Sequence, residues 1–218
     1  MEMRVLADAT AVAAEAAKII AQEARGAVVA RGRFVFAVSG GKTPWQMLRA
    51  LANEDLPWTS VYVAQVDERV APAGHPDRNF THLRASLLEL VPLRPEQICA
   101  MPVESPDLEA ATGSYALILQ EIAGSPPVLD LVHLGLGPDG HTASLVPGDP
   151  VLNITEADVA MTCLYKKRRR MTLTYPALNR ARRILWVVTG GEKAGMLLRL
   201  RGGGKAVTAC EQRISPSP

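Results

Sequence analysis

Along this chain the spacing of apolar positions switches period several times, and each switch predicts a new element. Over 9–25 an alanine-rich stretch sets Val12, Ala16, Ile19 and Ile20 at the i, i+4, i+7 and i+8 spacing of one helical face, which predicts a helix packed on a core. The run 33–38 (RFVFAV) is short and β-prone and ends in Ser39, Gly40 and Gly41; Thr43, Pro44 and Gln46 then offer an N-cap, a first helical position and a reciprocal capping side chain. A second apolar run, 61–66, stops at Asp67, Glu68 and Arg69, and after a loop of Pro, Gly and His the stretch 79–90 has helical spacing again. Residues 108–122 predict another helix, and 130–136 (DLVHLGL) a buried strand running into Gly137, Pro138, Asp139, Gly140 and His141. Further on, 158–162, 171–174 and 184–188 are strand-like and 192–200 is helical, while from about 202 the glycines and the closing Ser-Pro repeat predict a loose tail.

Strands alternating with helices define an α/β class with a largely parallel sheet covered by helices on both faces. At 218 residues, 48% of them hydrophobic and 21% charged, the chain can bury a full core and is expected to fold alone as a single domain. In such sheets ligands gather outside the carboxyl ends of the strands. Three polar loops, 39–43, 67–69 and 137–141, directly follow apolar runs and so are placed there.

A net charge of +2 gives no reason to expect a nucleic-acid or membrane partner, although Lys166, Lys167, Arg168, Arg169 and Arg170 form a local basic run. That run adjoins β-prone residues and lacks interleaved aromatics, so a solvated loop explains most of it, with Arg170 the best placed to turn inward toward a phosphate. Cys99, Cys163 and Cys210 are odd in number and have no metal-ligand spacing, which predicts neither a disulfide framework nor a metal site. The start MEMRVLADAT has no charged head followed by an apolar core, and no window reaches the ~18 apolar residues of a membrane span. A cytoplasmic protein, monomeric or weakly self-associating, is the expectation.

Gly40, Gly41, Lys42 and Thr43 put small residues and backbone N–H groups at a predicted helix start, where unpaired donors and the helix dipole favour an anion; a tight turn that merely needs glycine is the plainer reading. The Walker spacing is absent. Asp67, Glu68 and Arg69 offer a guanidinium fork for phosphate, with carboxylates to orient it or to hold sugar hydroxyls, or else form a solvated corner. In the segment 137–142 two glycines flank Asp139 and His141, a setting that suits an imidazole base with a carboxylate to fix its tautomer; a helix-capping Asp and a structural His are the alternative. His75, His82 and His133 lack that setting and are expected to be structural or superficial. Gly190 and Gly191 again precede a helix, with Lys193 either a cation for substrate or surface decoration.

Taken in order, SGGKTP (39–44), VDER (66–69), NF (79–80), GLGPDGHTASLVPG (135–148), RMTLTYPALNRAR (170–182) and TGGEKA (189–194) resemble the motif series of the 6-phosphogluconolactonase family, from about residue 33 to 200. The resemblance implies a Rossmann-like sheet of the kind shared with hexosamine-phosphate deaminases and ribose-phosphate isomerases, no cofactor or metal, and hydrolysis of a small sugar-phosphate lactone. Carried over by motif, it implies His141 as the catalytic histidine with Asp139 beside it, and substrate contacts at Gly40, Gly41, Lys42, Thr43, Asp67, Arg69, Arg170 and Lys193. Two departures stand out. Tyr165 to Arg169 replace a proline-rich stretch that many relatives carry before TLT, and the usual C-terminal strand with its tryptophan and aspartate has no counterpart in TACEQRISPSP. An amino-sugar phosphate deaminase or isomerase is the nearest rival, opposed by GHTASLVP where those proteins resemble GHIAFNEP. A non-enzymatic phosphosugar sensor would require more than the ~30 residues before the first strand to carry a DNA-binding helix-turn-helix.

Overall fold

The computed structural model describes residues 2–202. Asp8 opens the first helix by accepting the Ala11 N–H on its carboxylate at 2.8 Å. This helix, α1 (Ala9–Arg31), runs past the predicted end at residue 25 and stops at Gly32, whose φ of +75° lets its N–H close on Val28. Strand β1 (Phe34–Val38) follows, then α2 (Lys42–Leu51), β2 (Val61–Gln65) and β3 (Asp67–Arg69). Next come α3 (Asn79–Leu83), which passes into a π-helical turn over Arg84–Leu88, β4 (Ile98–Cys99), α4 (Leu108–Ala123) and β5 (Leu131–Leu134). The described chain is completed by β6 (Val159–Met161), β7 (Arg170–Leu173), α5 (Tyr175–Asn179), β8 (Ile184–Trp186) and α6 (Ala194–Gly202). The loose tail predicted from about 202 lies, beyond Gly202, outside the described residues.

Five strands form a parallel sheet in the order β4-β2-β1-β5-β8, as the alternation of strands and helices requires. The strand-like runs 158–162 and 171–174 do not enter it. They pair antiparallel as β6 and β7, and the Asp67–Arg69 segment, expected as a loop, is the third strand of that small sheet in the order β3-β7-β6. The parallel sheet separates two cores. Alternate residues of β1 point to opposite sides: Phe34, Phe36 and Val38 toward α1, α2 and the π-helical turn, Val35 and Ala37 toward α4, β6 and β7. On that second side the small sheet therefore shares with helices the covering that the sequence assigned to helices.

This register fixes where the site must be. Val38 pairs with Gln65 on one side and with His133 on the other, so the chain leaves β2, β1 and β5 at one level, and the segments 39–43, 67–69 and 137–141 emerge side by side.

Candidate active site

At the end of β1, α2 begins two residues earlier than the capping pattern predicts. Gly41 is its N-cap at φ +131°, no side chain caps it, and Thr43 instead bonds Thr189 hydroxyl to hydroxyl at 2.5 Å. Glycine alone takes that φ without strain, so the turn into the helix is made by backbone freedom and the Thr43 hydroxyl is left for a long-range contact. Among the described residues nothing accepts from the backbone N–H groups of Gly40, Gly41, Lys42 or Thr43. They sit at the positive end of α2 with their donors open.

Gly40 must be glycine for a different reason: a Cβ there would fall 1.8 Å from Asn79 Oδ1. The Asn79 side chain lies on the glycine and ties the next segment together, its Nδ2 donating to the Asp67 carbonyl at 2.9 Å and its Oδ1 accepting from Arg69 Nη1. Asp67 is buried, and its Oδ2 accepts from the Ser144 hydroxyl at 2.6 Å. Glu68 is buried completely and is not available for sugar hydroxyls. Its carboxylate receives the Gln65 amide and the backbone N–H groups of Arg69, Asn79 and Phe80, with the Arg78 guanidinium 3.2 Å away as an ion pair. The carboxylate expected to orient the arginine or hold sugar hydroxyls instead docks the start of α3 onto β3 and so places Asn79.

Strand β7 delivers Arg170. Arg168 and Arg169 are engaged by acids, Asp77 and Glu109 respectively, whereas Arg170 is buried and, among the described residues, has its Nε unpartnered and only a long 3.4 Å side-chain hydrogen bond, from Nη1 to Ser144. Burial, followed by the nearby Arg69 charge, lowers its pKa from the ordinary guanidinium value, while Asp67 acts the other way. Arg69 and Arg170 thus face each other across the β3–β7 pair, and among the described residues neither forms an ion pair with a carboxylate, an arrangement that favours an anion.

After β5 the chain folds back on itself. The Gly137 N–H donates to the His141 carbonyl at 2.8 Å, Gly140 sits at φ +89°, and a Cβ at Gly137 would lie 2.2 Å from His141 Nδ1. This tight turn sets His141 Nδ1 2.5 Å from Asp139 Oδ1, while Asp139 Oδ2 accepts from the Tyr165 hydroxyl at 2.7 Å. Partial burial would raise the Asp139 pKa, but bonds from Tyr165 and His141 outweigh it and hold the carboxyl well below the usual carboxylate range. An ionised carboxylate only accepts, so Nδ1 is the donor in this bond, and in the neutral imidazole the lone pair lies on Nε2. No described residue bonds that Nε2.

The contacts form one chain: Gly40 against Asn79, Asn79 to Asp67 and Arg69, Asp67 to Ser144, Ser144 to Arg170, Arg170 4.9 Å over the Tyr165 ring, Tyr165 to Asp139, and Asp139 to His141. Lys42 and Lys193 make no side-chain bond among the described residues. The segment around Lys193 nonetheless borders the site, since Thr189 reaches Thr43 and Met196 Sδ lies 3.4 Å from the Cβ position of Gly140. Asn79, Ser144 and Tyr165 are contributors that composition and spacing did not single out. The first two lie within motif segments, and nothing in the local sequence marks the third.

His133 is fully buried, its Nδ1 accepting the Ser39 N–H at 3.3 Å; His82 stacks on Trp45, and His75 contacts Arg168. No group of three or more His, Cys, Asp or Glu side chains among the described residues is arranged to hold a metal ion, and no described helix is long and apolar enough to cross a membrane.

By fold and by the groups gathered at its strand ends, this is a Rossmann-like α/β protein in which a histidine–carboxylate pair is linked to a cradle of arginines and free backbone donors. Residues 7–216 match the family described as glucosamine-6-phosphate isomerases/6-phosphogluconolactonase. The 6-phosphogluconolactonase of Synechocystis sp. is 39% identical over 172 residues, 77% of this chain and 71% of that protein. That of Nostoc sp. is 35% identical over 203 residues, 91% and 84% of the two chains. The solved 6-phosphogluconolactonase of Thermotoga maritima superposes with a TM-score of 0.81 at 25% identity, covering 90% of this chain and 88% of its own. The chain belongs to the glucosamine-6-phosphate isomerase/6-phosphogluconolactonase family.

Proposed function

We propose that this protein hydrolyses 6-phospho-D-glucono-1,5-lactone to 6-phosphogluconate, with His141 as general base. The observation that carries the reading is the His141–Asp139 pair, with Nδ1 held by the carboxylate and Nε2 open, joined through Tyr165 to the Arg170 cradle. The lactonase relatives named above support the substrate.

In this mechanism the phosphate is held by Arg170, Arg69 and the open N–H groups of residues 40–43, which fixes the distance from phosphate to lactone carbonyl. His141 Nε2 takes a proton from water as its oxygen attacks C1, and the imidazolium is stabilised by Asp139. A backbone N–H or an arginine steadies the oxyanion. The tetrahedral adduct then collapses, the bond from C1 to the ring oxygen breaks, and the imidazolium returns its proton to that oxygen. No net proton remains on the protein. Arg168 and Arg169 are left to Asp77 and Glu109 in this scheme, and Lys42 and Lys193 supply positive charge at the rim.

The test is the rate of lactone hydrolysis by wild type and His141→Ala, with the lactone generated in situ and the spontaneous rate subtracted. The wild type should exceed background clearly, and the variant should lose about 10²–10⁴-fold in kcat with its thermal midpoint unchanged. Arg170→Ala should chiefly raise KM, because a phosphate contact is made equally in ground and transition states. A folded wild type without acceleration would sink the lactonase reading and direct attention to amino-sugar phosphates.

A further inference from the structure

The segment 165–168 closes a two-residue hairpin. Tyr165 and Arg168 exchange backbone hydrogen bonds at 3.0 and 3.2 Å, and between them Lys166 and Lys167 both take left-handed backbone angles, φ +49° and +69°. Glycine and asparagine suit such a turn and lysine does not. Its flanks hold it in place. Arg168 donates to Asp77 at 2.7 Å and to the Val70 carbonyl at 3.2 Å, and Tyr165 reaches over the site. Every functional part of Tyr165 is used there: the hydroxyl donates to Asp139 Oδ2 at 2.7 Å, the ring meets the His141 imidazole edge-on at 5.6 Å, and Arg170 lies over the ring at 4.9 Å.

We propose that Tyr165 is a positioning residue, whose hydroxyl locks Asp139 in the rotamer that keeps Oδ1 on His141 and whose ring sets the place of Arg170. Its consequence for turnover rests on the reading in which His141 is the base. Asp139 needs such a lock. It stands in a glycine-bracketed turn with 39% of its side chain exposed, so a carboxylate bonded only to His141 could swing toward solvent. With a donor on each oxygen both side-chain torsions are fixed. A phenol does this as a neutral group, leaving the full negative charge to stabilise an imidazolium, which an arginine or lysine in its place would cancel. The aromatic face meanwhile attracts the buried Arg170 guanidinium without a carboxylate that would compete with phosphate for it.

The test uses the full chain carrying Tyr165→Phe and, separately, Tyr165→Leu, and reads steady-state kinetics together with the imidazole nitrogen-15 signals of His141, assigned by comparison with His141→Gln. Tyr165→Phe keeps the ring and loses only the donor, so kcat should fall about ten-fold with KM within about two-fold, and the His141 signals should move from one tautomer toward a mixture. Tyr165→Leu should also raise KM, since Arg170 loses its ring. Wild-type turnover in Tyr165→Phe, or His141 signals that do not move, would overturn the proposal. The nitrogen signals need no substrate and therefore separate the two ideas. If the wild type fails to hydrolyse the lactone while the signals still shift in Tyr165→Phe, the lactonase reading falls and the positioning of His141 stands.

Discussion

Glu68 and His133 are both wholly buried and ionisable, and the fold treats them in opposite ways. Glu68 has backbone and side-chain donors on both oxygens. His133 receives one N–H on Nδ1 and has no partner for Nε2 among the described residues, and burial pushes its pKa down to about 3. It is neutral in the folded protein. In the unfolded chain it titrates near the ordinary value of about 6.5, so between those two values the unfolded state binds a proton that the folded state refuses. His133 therefore contributes stability above the unfolded value that is lost as pH falls, by up to about 1.4 kcal/mol per pH unit. Urea unfolding at pH 7.5 and 5.0 should show about 2 kcal/mol of loss from this group in the wild type and a smaller loss in His133→Asn. Equal pH dependence in the two proteins would show that His133 is not the group responsible. The sequence placed His133 outside the site by its lack of flanking glycines, but it could not reveal that its imidazole, on β5, is fully buried and receives the Ser39 N–H just beyond β1.

Among the elements, the strand–glycine–helix unit of β1 and α2 was legible because its signals are local: a β-prone run, then glycines, then helix formers. Strand β3 was not, since three polar residues show no alternation and become a strand only by pairing with β7. Thr43 matched a capping pattern that lost to a more permissive Gly41 and to a partner far along the chain, Thr189. The close approach of α3 to the glycine loop yields a prediction at this scale. Gly40→Ala places a methyl group where Asn79 Oδ1 now lies, so Asn79 must move and release Arg69 and Asp67. The expected outcome is a KM raised about ten-fold or more, from loss of roughly 1.4 kcal/mol of phosphate binding, with far-UV dichroism unchanged. A KM equal to that of the wild type would disconnect this loop from the cradle.

At the scale of the molecule, one parallel sheet is the wall common to both cores, which couples them. Trp45 and Trp58 pack against one core and Trp186 against the other, so tryptophan fluorescence reports on both. Thermal or urea unfolding followed by fluorescence and by far-UV dichroism should give coincident transitions; separate midpoints would show that the two layers melt independently. The sequence by itself determined the α/β class, the three polar segments at strand ends, and the His141, Asp139 and Gly40 to Thr43 candidates. Those features depend on local spacing and on turn glycines such as Gly41, whose need is local, although the need for Gly40 comes from Asn79. Only the tertiary structure decided that Arg170 rather than Arg168 or Arg169 is left without an acidic partner among the described residues, that Glu68 is a buried anchor, and that Asn79, Ser144 and Tyr165 connect the cradle to the histidine. These depend on strand order and register, which bring together residues as distant as Asp67 and Ser144 or Asp139 and Tyr165, and no local pattern encodes which distant side chains meet.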